Sequence, residues 1–330
     1  MCSVNAALSR IVGAVWRPTP SSLRGFALAG IVVNCGIAVT GATVRVTGSG
    51  LGCPEWPHCT PDSLVPVADP EHDPINMAIE FGNRQLTWLV FAVAALCLIA
   101  AYRSHRSDGP LRGRRDLVLL AALQPVGVAM QGVVGGIVVL TDLHPAAVAG
   151  HFLASIAMIV AAVALWVRSG ESGGPVRSVV RPELRILALV LVAVTAALIV
   201  AGTVVTGTGP HAGDIKAPRY ALDIVTVTQV HADLVYVTVG LTFALWLALR
   251  LTDSPRLARR RAAELLGIEL LQGGIGYAQY FLGVPAALAA LHVLGAVLVW
   301  VAVLRLYFAL RVREPVPEPA APAPAARLAG

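Results

Sequence analysis

Eight long apolar segments dominate this sequence and limit the folds that it can adopt. Each covers about 18 residues or more, which a helix needs to cross roughly 30 Å of hydrocarbon. Within lipid only helices and closed barrels satisfy their own backbone hydrogen bonds. Only 13% of the residues are charged, against about a quarter in soluble domains. We therefore predict an all-α membrane protein whose eight transmembrane helices lie near residues 24–43, 78–101, 116–140, 145–167, 184–206, 222–249, 263–280 and 286–310.

The distribution of arginine predicts the orientation of these helices. Loops on one side of the predicted bundle are rich in arginine, whereas the opposite loops hold only Arg45, Lys216 and Arg219. The positive-inside rule then places both termini in the cytoplasm. The net charge of +6 is accordingly a topology signal, and no basic face for nucleic acid is visible. The first segment is long and seven more follow it, so we do not interpret it as a cleaved signal peptide.

Two pairs of matching motifs indicate an internal repeat. The stretch "VTGSG" at 46–50 matches "VTGTG" at 205–209, and "QGVVGG" from Gln131 matches "QGGIGY" from Gln272. In both halves a histidine follows that glutamine by 20 positions. Four spans per unit preserve orientation, so we predict two parallel four-helix-bundle repeats. The predicted divisions are an N-terminal segment 1–23, a first repeat 24–168 with an outer loop 44–77, a linker 169–183, a second repeat 184–311 and a disordered Pro/Ala-rich tail 312–330.

Two cysteines share the first outer loop, in "GSGLGCPEWPHC". Cys53 and Cys59 could form a disulfide, remain free thiols, or bind a metal together with His58. The loop is predicted to face an oxidising compartment, which favours the disulfide. Cys35 and Cys97 fall inside spans, where small core residues are expected.

Three histidines lie inside predicted spans at similar depth. His151, His231 and His292 each lie about 10–15 Å from the outer end of an even-numbered span. Polar groups within spans are costly and suggest function, although a neutral histidine can also hydrogen-bond to a neighbouring helix. Imidazole is a common metal ligand and an axial ligand of haem iron. His231 and His292 could hold a flat porphyrin between two helices that the repeat is expected to make neighbours. His151 corresponds to His292, while the position corresponding to His231 holds Asn83.

Glu80 and Arg84 lie on either side of Asn83, in "EFGNRQL". They are one helical turn apart and could form an ion pair. Such a pair could simply lie at the mouth of a helix. Alternatively, Glu80 could be a carboxylate at the edge of a buried pocket, able to accept protons. The residues alone leave both interpretations open.

These features together resemble the haem A synthase family. Its members have eight helices in two repeats, a glutamate-x-x-histidine-arginine motif on helix 2, histidines on helices 4, 6 and 8, and a cysteine pair in the first outer loop. The resemblance covers nearly all of residues 24–310, and its motifs are "GSGLGCPEWPHC", Glu80 with Arg84, and the histidines of "AGHFLA", "QVHADL" and "ALHVLG". The chain departs from the family pattern where Asn83 replaces the usual histidine. Its second outer loop also lacks the cysteine pair that some members have there.

The resemblance implies that the protein oxidises a ring methyl of haem O to the formyl group of haem A. It implies a haem b between His231 and His292 of the second repeat, and haem O bound by His151 in the first. Glu80 would be the catalytic group, with Asn83 and Arg84 supporting the substrate site. The implied location is the plasma membrane of a bacterium.

The partners that the resemblance implies are haem O, membrane lipid, a haem O synthase and assembly factors of a terminal oxidase, and no nucleic acid. A homo-oligomer is compatible with it. Two other functions are considered. A b-type cytochrome would pass electrons without modifying haem and needs only His231 and His292. A transporter could also be built from parallel repeats, but would show no haem absorbance.

Overall fold

The computed structural model describes residues 2–67 and 73–315, and this part of the chain is almost entirely helical. Two short strands accompany the helices. The helices are α1 (Cys2–Trp16), α2 (Pro20–Val46), α3 (Pro74–Arg106), α4 (Arg115–Leu140), α5 (Pro145–Arg168), α6 (Pro182–Thr208), α7 (Ile224–Leu251), α8 (Arg256–Phe281) and α9 (Ala286–Ala309); the strands are β1 (Val176–Ser178) and β2 (Arg311–Arg313).

The eight predicted apolar segments fall on α2 to α9, and seven of these helices are long and apolar enough to cross a membrane. The remaining one is α8, which carries four arginines in its first two turns and two glutamates further along. The all-α class and the multi-pass character are therefore confirmed, while the count of eight spans remains a prediction. Proline in the first turn, where a missing N–H is tolerated, begins α2, α3, α5 and α6.

The first helix, α1, was not predicted. Its 15 residues are too few to span a bilayer, and they lie within the segment 1–23, for which no helix was predicted. Arg103 of α3 donates from Nε to the carbonyl of Trp16 at 2.8 Å. The Arg103 guanidinium also lies 4.0 Å from the centre of the Trp16 ring. These contacts hold the end of α1 against α3.

The two strands form an antiparallel ladder that joins the predicted linker to the start of the predicted tail. Val176 pairs with Arg313 and Ser178 pairs with Arg311. Glu171 lies 3.4 Å from Arg313 and reinforces this pairing. The predicted tail boundary at 312 therefore needs correction, because 312 and 313 belong to β2. Residues 316–330 of that tail lie outside the described part of the chain.

The long helices α2 to α9 form two groups of four with the same order of neighbours. In the first group α2 packs against α3, α3 against α4, α4 against α5, and α5 closes on α2. Helices α6 to α9 repeat this cyclic order. The groups meet where α9 packs against α2 and α5, and there the indole N–H of Trp300 donates to the carbonyl of Ile156 at 3.0 Å. We call these groups the first and second bundle.

The loops that end α2 and α6 contact one another at the same end of the molecule. Arg45, near the end of α2, donates to the carbonyls of His211 and Thr206 at 2.5 and 2.9 Å. The N–H of Gly50 donates to the carbonyl of Gly213 at 2.8 Å. These bonds couple the loop that carries the cysteine pair to its counterpart in the second bundle.

Candidate functional site

His231 of α7 and His292 of α9 face each other across the second bundle. Their ring centres are 6.4 Å apart and their planes are inclined by 60°. The two helices are diagonal partners in the bundle, not neighbours. An imidazole nitrogen binds a metal ion at about 2.0 Å, so two rings at this separation fit on opposite sides of one ion. The Nδ1 atoms of both rings are buried and have no hydrogen-bond partner among the described residues.

Each of the three membrane histidines packs against a glycine of the preceding helix. A Cβ atom built on that glycine would lie 3.3 to 3.4 Å from the Cε1 atom of the ring, which is a tight contact. A larger side chain would therefore press on the imidazole. The pairs are Gly135 with His151, Gly202 with His231, and Gly276 with His292. No pattern in the sequence marks these glycines as part of a site.

At two of these histidines, a glutamine of the preceding helix donates a hydrogen bond to the histidine's backbone carbonyl. The amide of Gln131 donates to the carbonyl of His151 at 3.1 Å, and the amide of Gln272 donates to the carbonyl of His292 at 2.8 Å. Both contacts span 20 positions of sequence. The motif that indicated a repeat is therefore also the motif that supports the histidine-bearing turns of α5 and α9.

The first bundle carries His151 at this depth, on α5. The Nδ1 atom of His151 is buried without a partner among the described residues. Asn83 lies on α3, the helix diagonal to α5. Its side-chain Oδ1 accepts a hydrogen bond from the Thr40 hydroxyl of α2 at 2.7 Å. The amide is therefore tied to a neighbouring helix, a contact that no pattern in the sequence indicates.

Glu80 and Arg84 form the predicted ion pair on α3. The Nη2 atom of Arg84 lies 2.6 Å from Oε1 of Glu80, and Glu80 is only 5% exposed. The other carboxylate oxygen accepts the backbone N–H of Cys53 at 2.7 Å. Both oxygens of Glu80 are thus engaged, one by a cation and one by the cysteine loop.

Arg84 extends this network along the loop. Its guanidinium donates to the carbonyls of Cys53, Glu55 and His58 at 2.7, 3.0 and 2.9 Å. Charge-assisted bonds of this kind are stronger than those between neutral groups. The pair of buried Glu80 and half-buried Arg84 therefore holds the loop to the N-terminal part of α3.

The predicted disulfide between Cys53 and Cys59 is present, whereas Cys35 and Cys97 are free thiols. The alternatives of free loop thiols and of a metal site with His58 are not supported. Within residues 2–67 and 73–315 no group of three or more histidine, cysteine or acidic side chains is arranged to hold a metal ion. A haem held by one or two histidines needs no such group.

The disulfide loop reaches the helix that packs against His151. The Trp56 ring lies so close to Gly136 of α4 that a Cβ atom there would come within 2.6 Å of it. The preceding residue of α4, Gly135, contacts the His151 ring. The loop therefore covers the first bundle beside its histidine.

A family model described as "Cytochrome oxidase assembly protein" (COX15-CtaA) matches residues 24–304 of the chain. A protein named Heme A synthase from Methylorubrum extorquens is 28% identical in an alignment that covers 86% of each chain. A Heme A synthase from Geobacillus thermodenitrificans is 30% identical over 138 residues, 41% of this chain and 40% of the relative. The match to the family model extends over both bundles.

A longer relative matches over both bundles as well. A Protoheme IX farnesyltransferase from Thermus thermophilus is 30% identical in an alignment that covers 86% of this chain. The chain spans about half the length of that relative, namely 47%. A protein of the same name from a second strain of Thermus thermophilus matches over the same share of its length.

Proposed function

The chain belongs to the haem A synthase family of cytochrome oxidase assembly proteins, and from this premise we propose that it oxidises a ring methyl of haem O to the formyl group of haem A. The observation that carries the proposal is the contrast between the two bundles. The second presents two histidines facing each other at 6.4 Å, and the first presents His151 beside a covering loop. A protein that only passed electrons would not need a site like that of the first bundle.

We propose that α2–α5 and α6–α9 are two parallel repeats with eight spans and that both termini lie in the cytoplasm. The cyclic order of helix neighbours is the same in both bundles. The glutamine-to-histidine contact recurs at the same spacing. Glycine-to-histidine packing recurs in both bundles as well. The arginine-rich loops and the positive-inside rule support the orientation.

In this proposal His231 and His292 hold a haem b. The two imidazoles lie at a separation that would let both bind one iron ion, and the Nδ1 atom of each is buried without a hydrogen-bond partner among the described residues. A haem held by two histidines would supply one-electron transfer and not chemistry on a substrate. Gly202 and Gly276 leave room for the rings, and Gln272 supports the turn that carries His292.

In the first bundle His151 is the proposed ligand of the substrate haem O, and Asn83 leaves the opposite position open. An asparagine amide is not among the usual axial ligands of haem, and here Thr40 already binds it. The bonds of Glu80 to Arg84 and to the N–H of Cys53 favour an orienting role. We propose that Glu80 and Arg84 position the disulfide loop over the substrate. In an alternative role, which we also propose to test, Glu80 is the catalytic residue and accepts a proton from the reacting methyl group.

The proposed location is the plasma membrane of a bacterium, and the proposed partners are a haem O synthase and assembly factors of a terminal oxidase. Two relatives named Protoheme IX farnesyltransferase match this chain over about half their length. Farnesyl transfer to protohaem would supply a substrate of the required kind. This supports a close association between the enzyme that farnesylates haem and the protein that oxidises the product.

Extraction of haem from cells that express this chain with and without a haem O synthase tests the function. Haem A is expected only when both are present. If co-expression yields haem O and no haem A, the function is wrong. The second candidate, a b-type cytochrome that only passes electrons, would then be favoured by the His231–His292 pair.

A further inference from the structure

Glu269 is a carboxyl group in the interior of the second bundle for which the proposed reaction has no role. It lies on α8 and is only 4% exposed. On the same helix Leu265 belongs to the largest apolar core of the described residues, and Ile268 packs against that core. Ionisable residues within a membrane bundle are costly and mark function by default.

The contacts of Glu269 do not compensate for a buried charge. The Thr242 hydroxyl of α7 donates to Oε1 at 2.9 Å. The other oxygen, Oε2, is buried and has no partner among the described residues. Glu264, on the same helix, is by contrast paired with Arg260 and Arg261. Within the described part of the chain Glu269 therefore has one hydrogen bond and no paired cation, which suits a group that takes up and releases a proton.

Glu269 is aligned with the histidine pair along the bundle. It precedes Gly276 by seven residues, about 10 Å along the helix axis, and Gly276 packs against the His292 ring. On α7 the buried residues Thr238 and Thr242 follow His231 at positions that share one face of a helix. Thr238 and Thr242 thus lie along α7 between the histidine pair and the Glu269 carboxyl group.

The other ionisable groups of the helices around Glu269 lie towards the ends of the bundle or on its outer surface. Helix α8 packs against α7 and α9. Towards the histidine end these helices carry His231 and His292, and the exposed outer groups are Asp233, Tyr236, Tyr277 and Tyr280. Towards the arginine-rich end they carry the arginines of the first turns of α8 with the paired Glu264, and also Arg250, Arg305 and Tyr307. The histidine pair is therefore the site in the bundle interior whose charge would change during the proposed reaction.

We propose that Glu269 binds a proton when a haem held by His231 and His292 is reduced, and releases it when that haem is oxidised. The inference rests on the proposed function of the second bundle. One electron comes from the substrate haem O during turnover, or from a chemical reductant in a test, and converts iron(III) to iron(II). The Glu269 carboxylate takes one proton from water and becomes a carboxylic acid, so the charge of the bundle is unchanged. Reoxidation by a one-electron acceptor returns the proton to water.

The strength of the coupling follows from the spacing. A unit charge at that axial spacing of about 10 Å, with an effective dielectric constant of about 20, changes proton affinity by a little more than tenfold. The midpoint potential of the haem should then fall with rising pH across the range in which Glu269 titrates. Neutral glutamine has nearly the same shape but cannot take up the proton.

Redox titration of the purified full-length holoprotein at several pH values tests the proposal. The midpoint potential of the wild type should fall with pH, and Glu269→Gln should flatten that slope. The matched control Glu264→Gln, which removes a paired carboxylate from the same helix, should keep it. Thr242→Val should move the pH range of the slope upwards, because the carboxylate loses its hydrogen-bond donor. This variant tests the proposal even if Glu269→Gln does not fold.

Infrared difference spectra of the reduced and oxidised protein provide a second readout. The reduced wild type should gain the carbonyl band of a protonated carboxylic acid, and Glu269→Gln should lack it. Equal slopes in the wild type and Glu269→Gln, or a band that persists in this variant, would overturn the inference and leave the proposed function intact. A purified protein without any haem would overturn both.

Discussion

The side-chain amide of Gln272 donates a hydrogen bond to the backbone carbonyl of His292 at 2.8 Å. Gln272 lies on α8 and so ties this helix to the turn of α9 that carries the histidine. Gly295 allows the approach, since a Cβ atom there would overlap the glutamine side-chain oxygen. The position of the imidazole therefore depends on a neighbouring helix as well as on its own.

Replacing this glutamine should weaken haem binding in the second bundle only. Gln272→Leu removes one hydrogen bond, worth about 1 kcal/mol, so we expect about a fivefold loss of haem affinity. Gln131→Leu is the matched control, because its contact is with His151 of the first bundle. The measurement is a haem titration followed by the low-spin absorbance. An equal effect of both variants on the second-bundle haem would contradict this assignment.

The glycines beside the histidines should not tolerate branched side chains. Gly276→Val places its Cβ atom about 3.3 Å from the His292 ring, as found for an added Cβ, and adds two methyl groups at this crowded position. We expect loss of the low-spin spectrum with the fold retained. Gly273→Val is the control on the same helix, because a Cβ there meets nothing within 4 Å. The measurement is the absorbance spectrum of each purified variant. An unchanged low-spin spectrum in Gly276→Val would refute the packing role of Gly276.

The Glu80–Arg84 pair should be needed for oxidation but not for the second-bundle haem. Glu80→Gln leaves the Arg84 guanidinium partly buried without its counter-ion, a loss of the order of 3 kcal/mol for a buried pair. We expect haem A production to stop while the low-spin haem remains. Glu55→Gln serves as control, because Glu55 contributes its backbone carbonyl to the network, which the substitution keeps. Normal haem A production in Glu80→Gln would show that the pair has no role in the reaction.

Asn83→His should change the coordination of the substrate haem. The new imidazole would compete for the position opposite His151, and we expect bound haem O to become six-coordinate and low-spin with slower turnover. Thr40→Val is the control that frees the asparagine amide without adding a ligand. The spin state of haem O bound to each variant is the measurement.

Two loop histidines offer the competing explanation of how the substrate haem is bound. His58 lies in the disulfide loop, where its carbonyl accepts from Arg84, and His72 lies outside the described residues. Replacing both with alanine should leave the spin state of bound haem O unchanged. A shift in that state would contradict an open position at Asn83.

The sequence predicted features that depend on chain order and missed those that depend on which helices become neighbours. Spacing and depth identified His231 and His292, and the predicted outer location of Cys53 and Cys59 favoured their disulfide. The contact of Thr40 with Asn83 joins residues 43 positions apart on different helices, and no periodicity predicts it. The structure also corrects the idea that α7 and α9 are neighbours, because the cyclic order of the bundle makes them diagonal.

The same limit applies to Glu269. A lone glutamate in an apolar segment does not reveal whether it faces lipid, an arginine or a threonine. Its partner Thr242 lies 27 positions away on α7, and its isolation from the arginines of α8 becomes visible only in the packed bundle. The short helix α1 escaped prediction because its 15 residues fall below the length of a membrane span.

We propose that this chain converts haem O to haem A at His151. The most direct test is to load the purified protein with haem O, allow turnover with an electron acceptor, and identify the extracted haem by mass and by its formyl spectrum. We predict haem A from the wild type and unchanged haem O from His151→Ala, with the second-bundle low-spin haem retained in both. Haem A at wild-type yield from His151→Ala, or none from the wild type, would contradict the account.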